Sequence, residues 1–101
     1  MRQAICLNSA PMDETTFRAQ LAQDGYTEVL LREWPANTVL PDHQHAWDAR
    51  LLVLGGELRL DKAGQSLLLG AGQTCDVPRD QPHAEHYGAE NVTLLVGRRY
   101  A

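Results

Sequence analysis

The sequence predicts a single all-β domain, an antiparallel β-barrel or jelly roll with one short N-terminal helix. Three observations support this fold class. The chain has 101 residues, the length of one domain. Beyond residue 25 it consists of short segments rich in valine and leucine. Turn-forming glycine, proline, asparagine and aspartate separate these segments about every eight to twelve residues, as is typical of sandwiches and barrels.

One segment near the N-terminus has the pattern of a helix. Asp13 or Thr15 can cap its first turn, and Gly25 can end it. Phe17 and Leu21 are four residues apart, so they lie on the same face of a helix. We therefore expect a short amphipathic helix with this face against the rest of the domain.

The remainder of the chain is predicted to form strands joined by short turns. We expect eight strands, at residues 27–33, 38–40, 49–54, 57–60, 65–69, 74–77, 83–87 and 92–99. The turns at Gly55-Gly56 and Ala63-Gly64 are short enough for hairpins, so neighbouring strands should be antiparallel. Closing the strands into a barrel would remove exposed edges and enclose a small interior. Residues 1–25 then form an N-terminal segment whose helix packs on the barrel, and residues 26–101 form the barrel.

Composition excludes several classes of function. The formal net charge is -4, and the nine Lys and Arg residues are scattered except for the pair Arg98–Arg99. Direct binding to nucleic acid usually needs a clustered basic face, so we expect none. No apolar run approaches the roughly 18 to 20 residues that cross a bilayer, and the N-terminus does not resemble a signal peptide. We therefore expect a cytoplasmic protein that does not contact a membrane.

The two cysteines, Cys6 and Cys75, lie far apart in the sequence and belong to no motif. Such a pair is not typical of a disulfide framework or of a zinc knuckle. Cys75 occupies an alternating position in a predicted strand, so we expect a small, buried apolar side chain there.

All four histidines lie in two short stretches, PDHQHAWDAR and VPRDQPHAEHYG. His43 and His45 are two residues apart, which places both imidazoles on the same face of an extended segment. Neutral imidazoles bind transition metals, although a histidine pair alone is also common in solvated surface loops. His83 follows the turn at residues 78–82, where a strand begins again. A barrel that places this strand beside the first would bring the three imidazoles together.

These two stretches resemble the two motifs of the cupin family. HQHAWDARLLVLGGELRL resembles the first motif, with two histidines, a strand, a glycine turn and a new strand. LGAGQTCDVPRDQPHAEHY resembles the second, in which a glycine turn leads through a strand to a proline and a histidine. The resemblance covers about residues 39–87. It implies a small single-domain cupin with a jelly-roll barrel.

The resemblance implies that His43, His45 and His83 bind one divalent transition metal, which could be iron, nickel, zinc or manganese. Cupins commonly add a glutamate ligand from the first motif, but that position is Ala49 here. Its neighbours should point to the opposite face of a regular strand, so neither replaces the glutamate without a bulge. The resemblance therefore implies a three-histidine centre with open coordination positions, which is a catalytic arrangement.

Five further residues near the histidines are candidates for the chemistry. His86, Asp48 and Tyr87 could act as acid or base, although strand alternation turns His86 away from the cavity. Trp47 could stack on a substrate. Arg50 could bind a substrate carboxylate if the strand twists enough to bring it to the mouth of the barrel. We therefore expect a small-molecule ligand, anionic if Arg50 reaches it.

Two classes of function follow from this resemblance. The first is a metal-dependent enzyme for a small molecule, of the dioxygenase, isomerase or lyase type. The alternative is a non-catalytic cupin domain that senses a small ligand or serves dimerisation. Since many small barrels pair through an edge strand or a sheet face, we also expect a homodimer.

Overall fold

The computed structural model describes residues 3–5 and 11–100 of the chain. This part of the chain contains one helix and nine strands. In chain order these are β1 (Gln3–Ile5), α1 (Glu14–Gln23), β2 (Glu28–Trp34), β3 (Val39–His43), β4 (Asp48–Gly55), β5 (Leu58–Lys62), β6 (Gln65–Leu69), β7 (Thr74–Val77), β8 (His83–Tyr87) and β9 (Val92–Arg99).

The strands form two sheets, one with the order β1-β6-β5-β8-β3 and one with the order β2-β9-β4-β7. Buried leucine and valine side chains from both sheets form one hydrophobic cluster, so the sheets pack face to face. The predicted all-β jelly roll with one short helix is confirmed. Pairing is antiparallel except between β1 and β6. Strand β1 was not predicted, because three residues are too few to show an alternating pattern.

The other strands lie close to their predicted positions. Strands β6 to β9 begin and end at the predicted residues. The largest difference is in β3, which was predicted to end at Leu40 but continues through Pro41 to His43. Because β3 is an edge strand with a register shift between Leu40 and His43, it can accommodate a residue that lacks a backbone N–H. This extension carries the first histidine of the predicted site.

Alternation along β4 separates two hydrophobic clusters. Leu51 and Val53 face the cluster between the sheets, which also contains Cys75 as a buried side chain, as predicted. Leu52 points to the opposite face, where it contacts the cluster beneath α1. Cys6 lies outside the described residues. The barrel interior and the helix contact are therefore distinct parts of the core.

Helix α1 closes this second cluster. Its N-cap is Asp13, whose side chain accepts a hydrogen bond from the Thr16 backbone N–H at 2.7 Å. Phe17 and Leu21 are fully buried on the predicted apolar face. Gly97 of β9 lies so close that an added Cβ would be 2.5 Å from Leu21 Cδ2. Glycine at this position therefore allows the close approach of helix and sheet.

Within the described residues, no helix has the length and apolar character needed to cross a membrane. Three large apolar side chains are exposed: Leu31, Val39 and Tyr100. The homodimer and the cytoplasmic location stay predictions. The division at residue 25 also stays a prediction.

Candidate metal centre

Three histidines converge at one end of the interface between the sheets. His43 ends β3 and is the direct cross-strand partner of His83, which begins β8. His45 follows two residues after His43, and its ring centroid is 4.7 Å from that of His83. One potential ligand atom from each of the three rings lies within 4.8 Å of those from the others. They are close enough to bind a single metal ion, as the sequence predicts.

Two of the rings are oriented by backbone carbonyls. Nδ1 of His43 lies 2.7 Å from the carbonyl oxygen of Pro41, and Nδ1 of His83 lies 3.0 Å from that of Gln81. A carbonyl oxygen only accepts, so each Nδ1 carries the proton and donates it. In the neutral form of each ring, Nε2 then carries the lone pair, which is the tautomer that metal-binding histidines adopt.

His45 is held differently. Its ring stacks on the Trp47 indole with centroids 4.8 Å apart and an interplanar angle of 8°. Burial, followed by electrostatic interaction with His83, His43 and Arg98, lowers the pKa of His45 to about 4. The ring is therefore neutral at pH 7. Its Nδ1 is buried and has no hydrogen-bond partner among the described residues. A metal ion is one of the few groups that satisfies such a nitrogen, so the donor set fits one.

The histidines line a cavity of about 240 Å³ between the sheets. Its walls are mostly aliphatic and aromatic, and Ala49 lies among them with its methyl group buried. Besides the histidines, three charged residues line it: Arg32, Glu85 and Arg98. The site thus combines neutral nitrogen ligands, apolar walls and groups of both charges in a space suited to a small molecule.

No protein-family model matches the chain, and no curated protein matches it significantly. Solved structures do match. The DMSP lyase DddQ from Ruegeria pomeroyi is 28% identical, with a TM-score of 0.65 over 70% of this chain and 36% of that one. A second DMSP lyase structure is 25% identical, with a TM-score of 0.66 over 70% of this chain and 37% of that one. The Cnp3 cupin domain of Schizosaccharomyces pombe is 18% identical, with a TM-score of 0.65 over 70% of this chain and 53% of that one. The chain has the cupin fold. It spans only about a third of the length of the two lyases.

One carboxylate lies beside two of the histidines, on a different strand from Ala49. Glu85 is on β8, and its Oε2 lies 3.4 Å from His43 Nε2 and 3.7 Å from His83 Nε2. Glu85 was not among the predicted site residues, because the family pattern places its glutamate in the first motif, at the position of Ala49. The signal was present in the spacing His-Ala-Glu, which puts His83 and Glu85 on the same face of a strand.

Two of the predicted site residues lie at or next to the cupin cavity. Trp47 lines it and stacks on His45. Tyr87 is buried, stacks on Trp34 with centroids 5.5 Å apart, and donates its hydroxyl to Glu85 Oε1 at 2.5 Å. Burial, followed by the Glu85 charge, raises the pKa of Tyr87. Tyr87 is therefore a protonated donor at neutral pH and orients Glu85.

His86 and Arg50, two further candidates, do not line the cavity. His86 lies on the other side of β8, with Nε2 3.3 Å from Asp61 Oδ2. Arg50 forms ion pairs with Asp24, from Nη1, and with Asp76, from Nε, at 2.6 Å each. Its guanidinium lies over the ring of Tyr26, which is outside the cavity. Strand alternation explains both positions, since each residue is adjacent to one that faces the interior. The structure places Arg50 outside the cavity, and its contact with a substrate stays a prediction.

Asp48 is also outside the cavity. It begins β4 and connects it to the end of β9 and to the turn after β7. Its carboxylate accepts hydrogen bonds from the Arg79 backbone N–H at 2.9 Å and from Arg99 Nη2 at 3.0 Å. These bonds, the first of them most strongly, lower the pKa of Asp48 to about 2 from its ordinary value of 3.8. This network indicates a structural role for Asp48, and the catalytic role stays a prediction.

We expect the contribution of Asp48 to stability to disappear in acid. A carboxylate with a lowered pKa stabilises the folded state above pH 3.8, and this stabilisation is lost as the pH falls through about 2. Asp48→Asn should therefore lower the urea midpoint at pH 6, and the difference from the wild type should shrink between pH 4 and pH 2. Glu90→Gln, at an exposed turn position, is the control. A difference that stays constant from pH 6 to pH 2 would contradict this role.

Proposed function

We propose that this cupin is a metal-dependent enzyme that acts on a small anionic molecule by lyase chemistry. The observation that carries the proposal is the convergence of three imidazole ligand atoms within 4.8 Å on the wall of a cavity. His43, His45 and His83 would hold one divalent transition metal, which could be iron, nickel, zinc or manganese. When bound, such an ion supplies Lewis-acid chemistry by polarising a substrate oxygen.

The arrangement of the ligands supports a catalytic site over a structural one. Structural zinc sites are closed by four protein ligands, whereas catalytic sites keep positions open for water or substrate. Here the histidines face a cavity of about 240 Å³, so open positions of a bound ion would face that space. A substrate could therefore reach the ion directly.

Lyase chemistry is proposed from the similarity to known enzymes. The structures of DMSP lyases are 25% and 28% identical to this chain over 70% of its length. A lyase breaks a bond by elimination and leaves a double bond in the product. The proton on the carbon α to a carboxylate goes to a base, and the group on the β carbon leaves with its bonding electrons. A metal ion that binds the carboxylate would make this proton more acidic, and the apolar walls of the cavity would strengthen that effect.

The charge of the cavity supports an anionic substrate. Arg98 lines it, and its guanidinium lies 4.7 Å from the centre of the Trp47 ring. Its ion pair with Glu28 uses Nη1 at 3.3 Å. Nε is buried and has no hydrogen-bond partner within the described part of the chain. Because Arg98 lines the cavity, its guanidinium could donate hydrogen bonds to a small carboxylate there, so Arg98 takes the role that the sequence assigned to Arg50.

The experiment that tests the function is an activity panel on untagged protein loaded with each of the four metals. The substrates are small carboxylates with a leaving group on the carbon β to the carboxylate. Elimination is detected by the ultraviolet absorbance of the new carbon–carbon double bond. This activity should disappear in the His43→Ala variant. Oxygen uptake with no alkene product would contradict the lyase proposal and indicate an oxygenase.

We expect Arg98→Gln to weaken binding of a small carboxylate. Loss of one charge-assisted hydrogen bond should raise the dissociation constant roughly ten- to a hundredfold, with unchanged affinity for the metal. Calorimetric titration of the metal-loaded protein measures both constants. Arg50→Gln is the matched control, because it removes the same charge from a residue outside the cavity. Equal weakening in the two variants would show that only the overall charge matters.

A further inference from the structure

We propose that Glu85 is a fourth metal ligand, the carboxylate that Ala49 does not supply. The inference rests on the proposed metal centre. It changes the site from three neutral ligands to three neutral ligands and one anion. It also places three of the four ligands on the paired strands β3 and β8, since His43 and His83 are direct cross-strand partners and Glu85 is two residues further along β8.

The first argument is the identity of the atoms that face each other. Nδ1 of His43 and of His83 donates to a backbone carbonyl, so each Nε2 presents a lone pair. Glu85 Oε2 is 3.4 Å from one Nε2 and 3.7 Å from the other. A carboxylate oxygen is also an acceptor. With both imidazoles neutral, these three atoms are all acceptors and repel one another unless a cation lies among them, and a metal ion satisfies all three at once.

The second argument is the spacing. Nitrogen and carboxylate ligands bind a divalent ion such as zinc at about 2.0 to 2.2 Å. Two ligands at these distances, with the right or tetrahedral angles of ordinary coordination, lie about 3.0 to 3.5 Å apart. The separations of Oε2 from the two Nε2 atoms are at or just above this range. Only a small side-chain movement would be needed to bring the oxygen to a shared ion.

The third argument is the orientation of the carboxylate. Tyr87 donates its hydroxyl to Oε1 at 2.5 Å, and the Tyr87 ring is buried and stacked on Trp34. This contact fixes the Glu85 side chain with Oε2 toward the histidines. Carboxylates that bind metals are usually held by such a second hydrogen bond. Tyr87 is therefore a positioning residue for Glu85.

The test is a titration of the untagged full chain with Co²⁺, whose visible absorption reports both affinity and coordination. Glu85→Gln keeps the size of the side chain but removes its charge, and we expect it to weaken Co²⁺ binding roughly a hundredfold and to change the spectrum. Tyr87→Phe should weaken binding roughly tenfold, because the ligand is kept but loses its orientation. Glu33→Gln, which removes the same charge from an exposed position on β2, should bind as the wild type does.

Several outcomes separate this inference from the proposed function. Wild-type affinity and spectrum in folded Glu85→Gln would overturn the inference while leaving the three-histidine centre intact. If that variant also lost turnover, Glu85 would be a catalytic base rather than a ligand. No Co²⁺ binding by the folded wild type would overturn the metal centre itself. Circular dichroism of each variant tests whether it is folded. Tyr87→Phe removes only the hydrogen bond to Glu85 and so tests the position of the carboxylate with a smaller change.

Discussion

Replacing His83 with alanine is expected to remove stoichiometric metal binding. His83 is the most buried of the three histidines, with 2% of its surface exposed. Its ring centroid lies 4.2 Å from that of His43 and 4.7 Å from that of His45, whereas those two are 5.4 Å apart. It is thus the central member of the cluster. Without it, the remaining pair would come from positions two residues apart on one segment and would hold an ion only from one side.

The size of the effect follows from the energy of ordinary metal sites. Structural zinc sites bind with about 10 to 16 kcal/mol over four ligands, or about 3 kcal/mol for each. Since every 1.4 kcal/mol is a factor of ten, loss of His83 should weaken binding roughly a hundredfold or more. Metal content after purification without an affinity tag and titration with Zn²⁺ both measure this change.

His86→Ala is the matched control for this prediction. It removes the same type of side chain from the same strand, but His86 pairs with Asp61 and does not line the cavity. Metal affinity should therefore stay at the wild-type value. If both variants lost the metal equally, the effect would come from a change in the β8 backbone. If neither did, the convergence of the three rings would have no role in metal binding.

The sequence predicted the parts of this site that depend on local geometry. The period of two along a strand places His43 and His45 on one face, and the proline turn before His83 begins a new strand. The strands and glycine turns predicted a barrel or sandwich, and the resemblance of the two histidine stretches to the cupin motifs implied the jelly roll. The same alternation also places Glu85 beside His83, although the family pattern places the glutamate ligand in the first motif, at the position of Ala49.

The remaining features depend on contacts between distant segments. Arg98 reaches the cavity because it is the direct cross-strand partner of Ala49, which also lines it. No local pattern specifies that register between β4 and β9. Arg50 was the candidate because it is near the histidines in sequence, but its partners Asp24 and Asp76 are each 26 residues away. Charge at a cavity is therefore harder to predict from sequence than the strands that form the cavity.

Phe17→Ala is expected to lower the free energy of unfolding by about 3 to 5 kcal/mol, the usual cost of removing a buried aromatic ring. Phe17 is fully buried on α1 in the cluster beneath the helix, which is formed by Phe17, Leu21, Tyr26, Leu52 and Leu95. The change leaves a cavity that the surrounding sheet can fill only in part. Urea unfolding, followed by circular dichroism, measures the change in the free energy of unfolding. Leu31→Ala, at a side chain that is 66% exposed, should change the free energy by no more than about 0.5 kcal/mol.

The Phe17→Ala variant should bind metal as tightly as the wild type while it remains folded. Leu52 and Leu51 are neighbours on β4, yet Leu52 contacts the helix cluster whereas Leu51 lines the cavity, so the sheet separates the two regions. Single domains are stable by about 5 to 15 kcal/mol, so most of the variant molecules should still fold in the absence of urea. If metal affinity fell together with stability under those conditions, packing of α1 would control the geometry of the histidines through β4. The helix would then be part of the site's support rather than a separate contact on the outer face of the sheet.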